Sequence, residues 1–370
     1  MGRPAIALFL AAALALSGCG ARRQADAPAP APGDGARRVI LVVGDGVGLA
    51  QWSELRLASD DPLSVTRLPV LGLVDTRCAC ERVTESAAAA TAYATGRRTS
   101  YRFVAMAPDS TPLRTVLEAA EARGLATGLV TTTQIVDATP AAFAAHALSR
   151  YQRYDIARQM AGREIEVLMG GGRSAFTRRP DGADLLAEMA TRYTVVTTVE
   201  AFRALDARKS ERLVGLFADS TIFPGTEVRP TLPEMAATAL AVLDRDPDGF
   251  FLLLEQEDTD DAHHQNVPLD GTLPGLRELD RTIAVALDYQ ERRPETLVVV
   301  TGDHETGGLT LFYQDGSLEA RYTTGNHSAT MVPLFAGGPG SERFGGWLGN
   351  ETVGRLLFDA VGEPAEMARR

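Results

Sequence analysis

The chain has 370 residues but a single lysine, Lys209, and this scarcity excludes several kinds of enzyme. A P-loop needs the triplet Gly-Lys-Ser or Gly-Lys-Thr, which does not occur. Protein-kinase and Schiff-base chemistry also need a placed lysine, whereas Lys209 lies in a polar run. The formal net charge is −11, and nucleic-acid binders normally carry a basic face. We therefore expect no specific binding of nucleic acid.

Cysteine is also scarce, with three residues in the whole chain. Hydrophobic residues make up 45% of the sequence, and a chain of this length can bury a large core without disulfides. Cys78 and Cys80 either close a small strained loop or stay reduced. Apart from Cys19 there is no further thiol to complete a zinc site beside them.

The N-terminus has the pattern of an export signal. Arg3 precedes the apolar run Ala5–Leu16, which is too short to span a bilayer. The next residues, Leu-Ser-Gly-Cys ending at Cys19, resemble a bacterial lipobox, in which the cysteine is lipidated and becomes the new N-terminus. We predict that residues 1–18 are a lipoprotein signal peptide. The alternative is an ordinary secretory signal with an incidental cysteine.

A tether follows the predicted lipid anchor. Residues 19–37 are rich in alanine and proline and contain little that packs a core. Gly20, rather than an aspartate, follows the cysteine, which favours the outer membrane where a cell has two. The sequence therefore predicts an exported protein, lipid-anchored to the cell envelope and periplasmic in such a cell.

From residue 38 onward, short apolar runs alternate with helical patterns. Runs that are apolar on both faces and are separated by helices predict an α/β fold, with a mostly parallel central sheet and helices on both faces. No linker interrupts this part, so we predict one domain over residues 38–370. The predicted strands are Val39–Val43, Ala126–Thr131, Glu166–Met169, Val195–Thr197, Phe250–Leu254 and Thr296–Val300, and the predicted helices are Leu113–Arg123, Leu232–Leu243 and Leu276–Arg292.

Acids and imidazoles follow three of the predicted strands. Asp45 follows the first, the run Glu255–His264 follows the fifth, and Asp303 with His304 follows the last. Taken alone, each pattern is as typical of a helix cap or a solvated loop as of a functional site. Because the carboxyl ends of parallel strands share one edge, we expect these groups to lie together. Such a mixed set suits zinc plus a harder ion.

A serine precedes a run of four alanines in the segment Val83–Ala92. Alanine favours helix, so we predict a helix that begins near Ser86. On the serine alone, a helix cap explains the residue. The functional alternative is a nucleophile beside the positive end of a helix, which attracts a phosphoryl group.

Taken together, these segments resemble the alkaline phosphatase family. The similar segments occur in the family's order and cover roughly residues 38–362. They are Gly44–Gly48, Val83–Gly96, Asp137–Ala142, His146–Arg150, Leu168–Arg173, Glu255–His264, Thr301–Gly308, Gly325–His327 and Phe335–Gly340.

The resemblance implies hydrolysis of small phosphate monoesters through a phosphoserine. Ser86 matches the nucleophile, and Arg150 matches the guanidinium that grips two phosphate oxygens. It also implies two Zn²⁺ sites and one Mg²⁺ site. Their ligands would be Asp45, Asp303 and His304 for the first zinc; Asp260, His264 and His327 for the second zinc; and Asp45, Thr139 and Glu255 for magnesium.

Three features depart from the family pattern. Glu85 stands where the family most often has aspartate beside the serine, so its contact with Arg150 is open. Asp261 follows the ligand Asp260 and, with Asp137, adds negative charge near the third metal. We hypothesise that this charge speeds release of product phosphate. Only 22 residues lie between His304 and His327, so insertions look reduced and the oligomeric state stays open, a homodimer included.

Two other functions compete with the monoesterase. A phosphodiesterase or sulfatase of the same superfamily is one, although diesterase relatives commonly use threonine as nucleophile and lack the third metal. Ser86, Arg150, Thr139 and Glu255 favour monoesters. The other is a non-catalytic lipoprotein that captures metal or phosphate, which the complete catalytic set disfavours.

Overall fold

The computed structural model describes residues 1–2, 36–221 and 229–363. Nearly all of the predicted signal peptide and tether, with Cys19, therefore lies outside the described residues. Within the described ranges, no helix combines the length and the apolar content needed to cross a membrane. The sulfur atoms of Cys78 and Cys80 lie 3.5 Å apart and are not bonded.

Strands and helices alternate along most of the described chain. The strands are β1 Arg38–Gly44, β2 Val70–Asp75, β3 Ala126–Gln134, β4 Val167–Gly171, β5 Thr194–Val196, β6 Leu213–Leu216, β7 Phe250–Gln256, β8 Thr296–Gly302, β9 Glu305–Thr306, β10 Thr310–Gln314, β11 Ser317–Arg321, β12 His327–Ser328, β13 Val332–Gly337 and β14 Gly346–Gly349. The helices are α1 Leu49–Leu57, α2 Ser86–Thr95, α3 Val116–Ala122, α4 Ala138–Ala144, α5 Arg153–Gly162, α6 Ser174–Thr177, α7 Leu185–Met189, α8 Val199–Arg203, α9 Leu232–Leu243, α10 Asp258–His264, α11 Leu269–Arg292 and α12 Asn350–Ala360.

A large, mostly parallel sheet forms the centre of the fold, as the sequence predicts. In the described part of the chain it has ten strands in the order β14-β2-β13-β8-β1-β7-β3-β4-β6-β5. Only β13 runs antiparallel to its neighbours, β2 and β8. Two small ribbons, β10–β11 and β9–β12, lie apart from this sheet.

Both faces of the sheet are covered, because its central strands are apolar on both sides. Val39, Leu41 and Val43 of β1 join one core cluster, which helices α2, α3, α4, α5 and α12 complete. Ile40 and Val42 join the other cluster, with α1, α9 and α11. This alternation follows from the two-residue period of a strand. Every residue of β1, β7 and β8 is buried.

The predicted elements are present, with shifted ends. The strands continue past the apolar runs, since β1 ends at Gly44 and β8 at Gly302. Helix α3 begins only at Val116, because Thr115 caps it in a capping box with Glu118. Helix α11 begins at Leu269, seven residues before the predicted start at Leu276, and contains Pro274.

Helix α2 is buried along its whole length, and small side chains allow close packing around it. Alanines fill Ala87–Ala90, and α12 packs against α2. A Cβ on Gly354 of α12 would overlap the carbonyl oxygen of Ala92 and approach the amide nitrogen of Gly96 to 2.7 Å. The position of α2, which begins at Ser86, therefore depends on a glycine in another helix.

Gly354→Ala should destabilise the protein by about 1–3 kcal/mol, because rigid backbone atoms must move to admit one methyl group. Denaturant unfolding measures the change. Gly162→Ala is the matched control: Gly162 ends α5, and a Cβ there meets no atom within 4 Å. We expect this control to keep or slightly raise stability. Equal effects of the two substitutions would contradict the packing argument.

Candidate active site and metal centre

The sheet brings the predicted acidic and imidazole groups to one edge. Strands β1 and β8 are parallel neighbours, with Gly44 opposite Gly302. Asp45 and Asp303, which come directly after these glycines, therefore leave the sheet side by side. Gly46 has a φ of 72°, a conformation glycine adopts without strain. Its amide donates a hydrogen bond to Asp303 Oδ1 at 3.1 Å.

A first cluster consists of Asp45, Asp303 and His304, all buried. His304 Nε2 lies 3.4 Å from Asp45 Oδ1 and 3.2 Å from Asp303 Oδ2. Neither carboxylate oxygen has a hydrogen-bond partner among the described residues. Ser86 Oγ lies 3.3 Å from the same nitrogen. Two carboxylates and an imidazole that converge beside a serine hydroxyl suit a divalent metal.

Burial sets the electrostatics of this cluster. Burial, with the neighbouring carboxylates second, raises the pKa of Asp45 and of Asp303 well above the ordinary range. Burial also lowers the pKa of His304, and His327 adds to that effect. Within the part of the chain that the structure describes, no lysine or arginine forms an ion pair with Asp45 or Asp303, so a bound cation would compensate their charge.

A second cluster lies beside the first. His264 Nε2 is 3.1 Å from Asp260 Oδ2 and 3.1 Å from His327 Nε2. The Nδ1 atoms of His264 and His327 lie 2.8 Å and 2.9 Å from the carbonyl oxygens of Gly325 and Thr84. Because a carbonyl only accepts, both Nδ1 atoms carry hydrogen, so the converging Nε2 atoms are the ones that would bind a metal, on losing any proton they carry.

Short contacts join the two clusters. The rings of His304 and His327 stack with centroids 3.6 Å apart. Burial raises the pKa of Asp260, but the hydrogen bond from His264 and the nearby imidazoles outweigh it, so the net pKa is lowered. The same hydrogen bond raises the pKa of His264 to about 9.

A third group lines a small cavity of about 20 Å³, room for one ion or water. Asp45, Thr139 and Glu255, the ligands that the resemblance implies for magnesium, all line it. The Thr139 hydroxyl oxygen is buried without a hydrogen-bond partner in the described chain. Burial raises the pKa of Glu255 to about 7, although Thr131 donates to it at 2.6 Å. An all-oxygen set of this size suits a hard ion such as Mg²⁺.

Glu257 also lines this cavity, although we did not predict it from the sequence. Its Oε2 atom is buried and has no hydrogen-bond partner among the residues described. Burial, with Asp261 second, raises its pKa well above the ordinary range. The spacing in the sequence could have indicated it. Glu257 lies two residues after Glu255 and therefore falls on the same side of an extended chain.

Ser86 is the first residue of α2, and Glu85 is the helix cap. Glu85 accepts hydrogen bonds from the amides of Ala87 and Ala88 at 3.1 Å and 2.8 Å. A carboxylate therefore occupies two of the first-turn amides. The helix dipole still directs positive potential toward Ser86.

Arg150 lies in the turn between α4 and α5. Its guanidinium donates to Glu85 Oε2 at 3.0 Å and to Asp137 Oδ1 at 2.8 Å. The longer side chain of Glu85 thus still reaches Arg150, which answers the question left open by the sequence. Two carboxylates fix the fork beside Ser86 and leave further N–H groups for a ligand.

These residues surround one open cavity of about 850 Å³. Ser86, Arg150, Asp260, His264 and His327 line it. Asp261 lines it as well, and burial, with Asp260 second, raises the pKa of Asp261. His263 does not line the cavity. It is buried, and its Nε2 atom lies 3.3 Å from Glu54 Oε2.

Comparison with known proteins matches this chain to a family. The alkaline phosphatase family model matches residues 36–320. Alkaline phosphatase 3 of Bacillus subtilis is 28% identical over 89% of this chain and 89% of its own. Streptomycin-6-phosphate phosphatase of Streptomyces griseus is 32% identical, over 88% of this chain and 91% of its own.

Solved structures of alkaline phosphatases are also similar to this chain. The alkaline phosphatase from the Antarctic bacterium TAB5 superposes with a TM-score of 0.83 at 32% identity, covering 88% of this chain and 98% of that one. A histidine-to-aspartate mutant of that enzyme has magnesium bound in its M3 site, and it superposes with a TM-score of 0.81 at 32% identity, over 89% of this chain and 98% of that one.

Metal-free protein should lose stability as the pH rises. Glu255 stabilises the fold in its protonated form, and this contribution disappears as pH rises from about 4.5 through its raised pKa of about 7. The raised pKa of His264 acts in the same direction, between about 6.5 and 9. Bound cations would replace these protons.

Thermal unfolding of EDTA-treated and metal-loaded protein across this pH range measures the effect. We expect the difference in Tm between the two forms to grow with pH. A metal-free Tm that stays constant from pH 5 to pH 9 would contradict the electrostatic account.

Proposed function

This chain belongs to the alkaline phosphatase family and is a metal-binding hydrolase, and we propose that it hydrolyses small phosphate monoesters through a phosphoserine at Ser86. The products are an alcohol and inorganic phosphate. One observation carries the proposal: the Ser86 hydroxyl lies 3.3 Å from His304 Nε2, where Asp45 and Asp303 also converge.

Three groups of residues would hold the ions. Asp45, Asp303 and His304 would bind one zinc ion, and the second cluster of Asp260, His264 and His327 would bind another. The small cavity lined by Asp45, Thr139 and Glu255 would bind magnesium. Zinc held by the first two groups supplies Lewis acidity, which makes hydroxyl groups ionise near neutral pH and offsets charge on phosphate oxygens. Cobalt also fits this ligand set.

The protein's own groups perform two displacements. Ser86 Oγ attacks phosphorus, the P–O bond to the alcohol breaks, and Ser86 carries the phosphoryl group. Water then attacks that phosphorus from the side opposite Ser86 Oγ. The bond between Ser86 Oγ and phosphorus breaks, and phosphate leaves. Arg150 holds the non-reacting phosphate oxygens in both steps, and Glu85 and Asp137 orient its guanidinium.

Arg150 and the third cavity support a monoesterase over the competing functions. A monoester has one more charged oxygen than a diester, and a fixed guanidinium can bind it bidentately. The third cavity, with Thr139 and Glu255, adds a site for a further cation next to Ser86. A non-catalytic binder would have no use for a serine hydroxyl placed beside the first cluster.

The cellular context is a further part of the proposal. Residues 1–18 would be removed on export, and Cys19 would carry the lipid that anchors the protein to the cell envelope. Residues 19–37 would serve as the tether of the domain over 38–370. We keep the homodimer and the periplasmic, outer-membrane location as predictions that rest on the sequence.

Ser86→Ala should reduce turnover of p-nitrophenyl phosphate at least about a thousand-fold, because no other described nucleophile occupies its position. The measurement is steady-state hydrolysis with zinc and magnesium, in a soluble form that starts after Cys19. Wild-type activity toward p-nitrophenyl phosphate should be lost with EDTA. It should also exceed wild-type activity toward bis-p-nitrophenyl phosphate. Ser53→Ala, which changes an exposed serine of α1, is the matched control. A preference for the diester would instead assign the protein to the phosphodiesterases.

Asp261→Lys should strengthen inhibition by product phosphate roughly ten-fold, because the change replaces a repelling charge in the cavity with an attracting one. The inhibition constant of inorganic phosphate measures this. Asp248→Lys makes the same charge change in the exposed turn before the amino end of β7, away from the site, and serves as the control. Unchanged inhibition in Asp261→Lys would refute the role of this charge in product release.

A further inference from the structure

Part of the active-site cavity is built from residues with no role in the two displacements. Tyr101, Arg102, Tyr151 and Arg153 line the same cavity as Ser86, and all four are exposed. Tyr101 and Arg102 come from the loop after α2, Tyr151 comes from the turn before α5, and Arg153 is the first residue of α5. The acidic and imidazole groups of the metal clusters come from other elements, at the ends of β1, β7 and β8 and, for His327, from β12.

The backbone of Arg102 is held in a conformation that glycine adopts more readily. Its φ is 65°, in the left-handed region. The Arg102 amide donates to Glu85 Oε1 at 2.9 Å, and its carbonyl accepts from the Arg150 amide at 2.8 Å. Glu85, which caps the helix of Ser86, and Arg150 thus hold the backbone of Arg102 directly. Strain of this kind is typical of functional sites.

The side chain of Arg102 stays available to a ligand. Its guanidinium lies over the ring of Tyr151, with 5.4 Å to the centroid. Neither Arg102 nor Arg153 makes an ion pair with any carboxylate of the described residues. Most cavity-lining carboxylates belong to the metal clusters or to the Arg150 contacts. Two free guanidiniums therefore lie at the mouth of a cavity whose base binds phosphate.

We infer that Arg102, with Tyr151 and Arg153, forms a subsite for a second anionic group on the alcohol part of the substrate. The chemical class is a phosphate monoester whose alcohol also carries a carboxylate or a second phosphate. Arginine suits both groups, because its planar fork binds their oxygens in pairs. The inference rests on the proposed monoesterase function and deepens it.

Arg102→Gly tests the subsite without disturbing the backbone, since glycine accepts a φ of 65° and keeps both main-chain hydrogen bonds. Two matched substrate pairs are compared: 3-phosphoglycerate with glycerol 3-phosphate, and fructose 1,6-bisphosphate with fructose 6-phosphate. The first pair tests a carboxylate and the second a phosphate. We expect the ratio of kcat/KM between the substrate that carries the second anionic group and the one that lacks it to fall about ten-fold in at least one pair, mainly through KM.

Two further variants complete the design. Asparagine also tolerates a positive φ. Arg102→Asn should therefore lower the kcat/KM ratio as Arg102→Gly does. Arg321→Ala is the matched control, because Arg321 is an exposed arginine over the ring of Phe312 and lies outside the cavity. It removes the same charge and the same kind of ring contact, and it should leave both ratios unchanged.

Binding separates this inference from the proposed function. Calorimetry with metal-loaded Ser86→Ala should show tighter binding of 3-phosphoglycerate than of glycerol 3-phosphate, or of the bisphosphate than of the monophosphate. Arg102→Gly in that background should remove the preference. Unchanged ratios and unchanged binding preferences in both arms would overturn the subsite, whereas absence of monoester turnover by the wild type would overturn the function alone.

Discussion

Repulsion among buried carboxylates at one edge of the sheet is the constraint on which this molecule depends. Asp45, Asp303 and Glu255 are all buried where parallel strands end, and their raised pKa values show how poorly that position tolerates charge. No described lysine or arginine forms an ion pair with the first cluster. Its own imidazole, His304, is close, but burial keeps it from carrying charge readily. Bound divalent cations would resolve this conflict, so we expect binding of metal and stability of the fold to be two consequences of one arrangement.

A second arrangement fixes the other half of the site without metal. The Glu85 carboxylate accepts from the amides of Ala87, Ala88 and Arg102 and from the Arg150 guanidinium. One side chain thus joins the amino end of α2, the Arg150 guanidinium and the mouth of the cavity. An aspartate, one methylene shorter, would have to move these groups to keep the same contacts. The departure at Glu85 therefore bears on the position of Arg102 as much as on that of Arg150.

Much of the fold and part of the site can be predicted from the sequence by elementary arguments. The apolar runs before Asp45 and Asp303 predict buried parallel strands, and parallel strands bring the residues at their carboxyl ends to one edge. His327 and Arg150 come after no such strand. They lie on a two-residue strand and in a turn, and only the family resemblance indicated them.

Other features depend on tertiary contacts that no local pattern reports. Glu257 was missed because an acidic run is typical of a solvated loop until the cavity beside it is seen. Arg102 was missed because a left-handed conformation is predicted from glycine, and here contacts of the backbone with Glu85 and Arg150 impose it on arginine. The early start of α11 was missed because Pro274 ordinarily argues against the interior of a helix.

The most direct test of the account is where the metal binds. A crystal structure of the zinc- and magnesium-loaded protein, with anomalous data at the zinc edge, would locate each ion. We predict two zinc peaks, one bounded by Asp45, Asp303 and His304 and the other by Asp260, His264 and His327, with a lighter ion beside Thr139 and Glu255. Zinc bound elsewhere, or a first cluster that stays empty at saturating zinc, would contradict the claim that cations resolve the carboxylate repulsion.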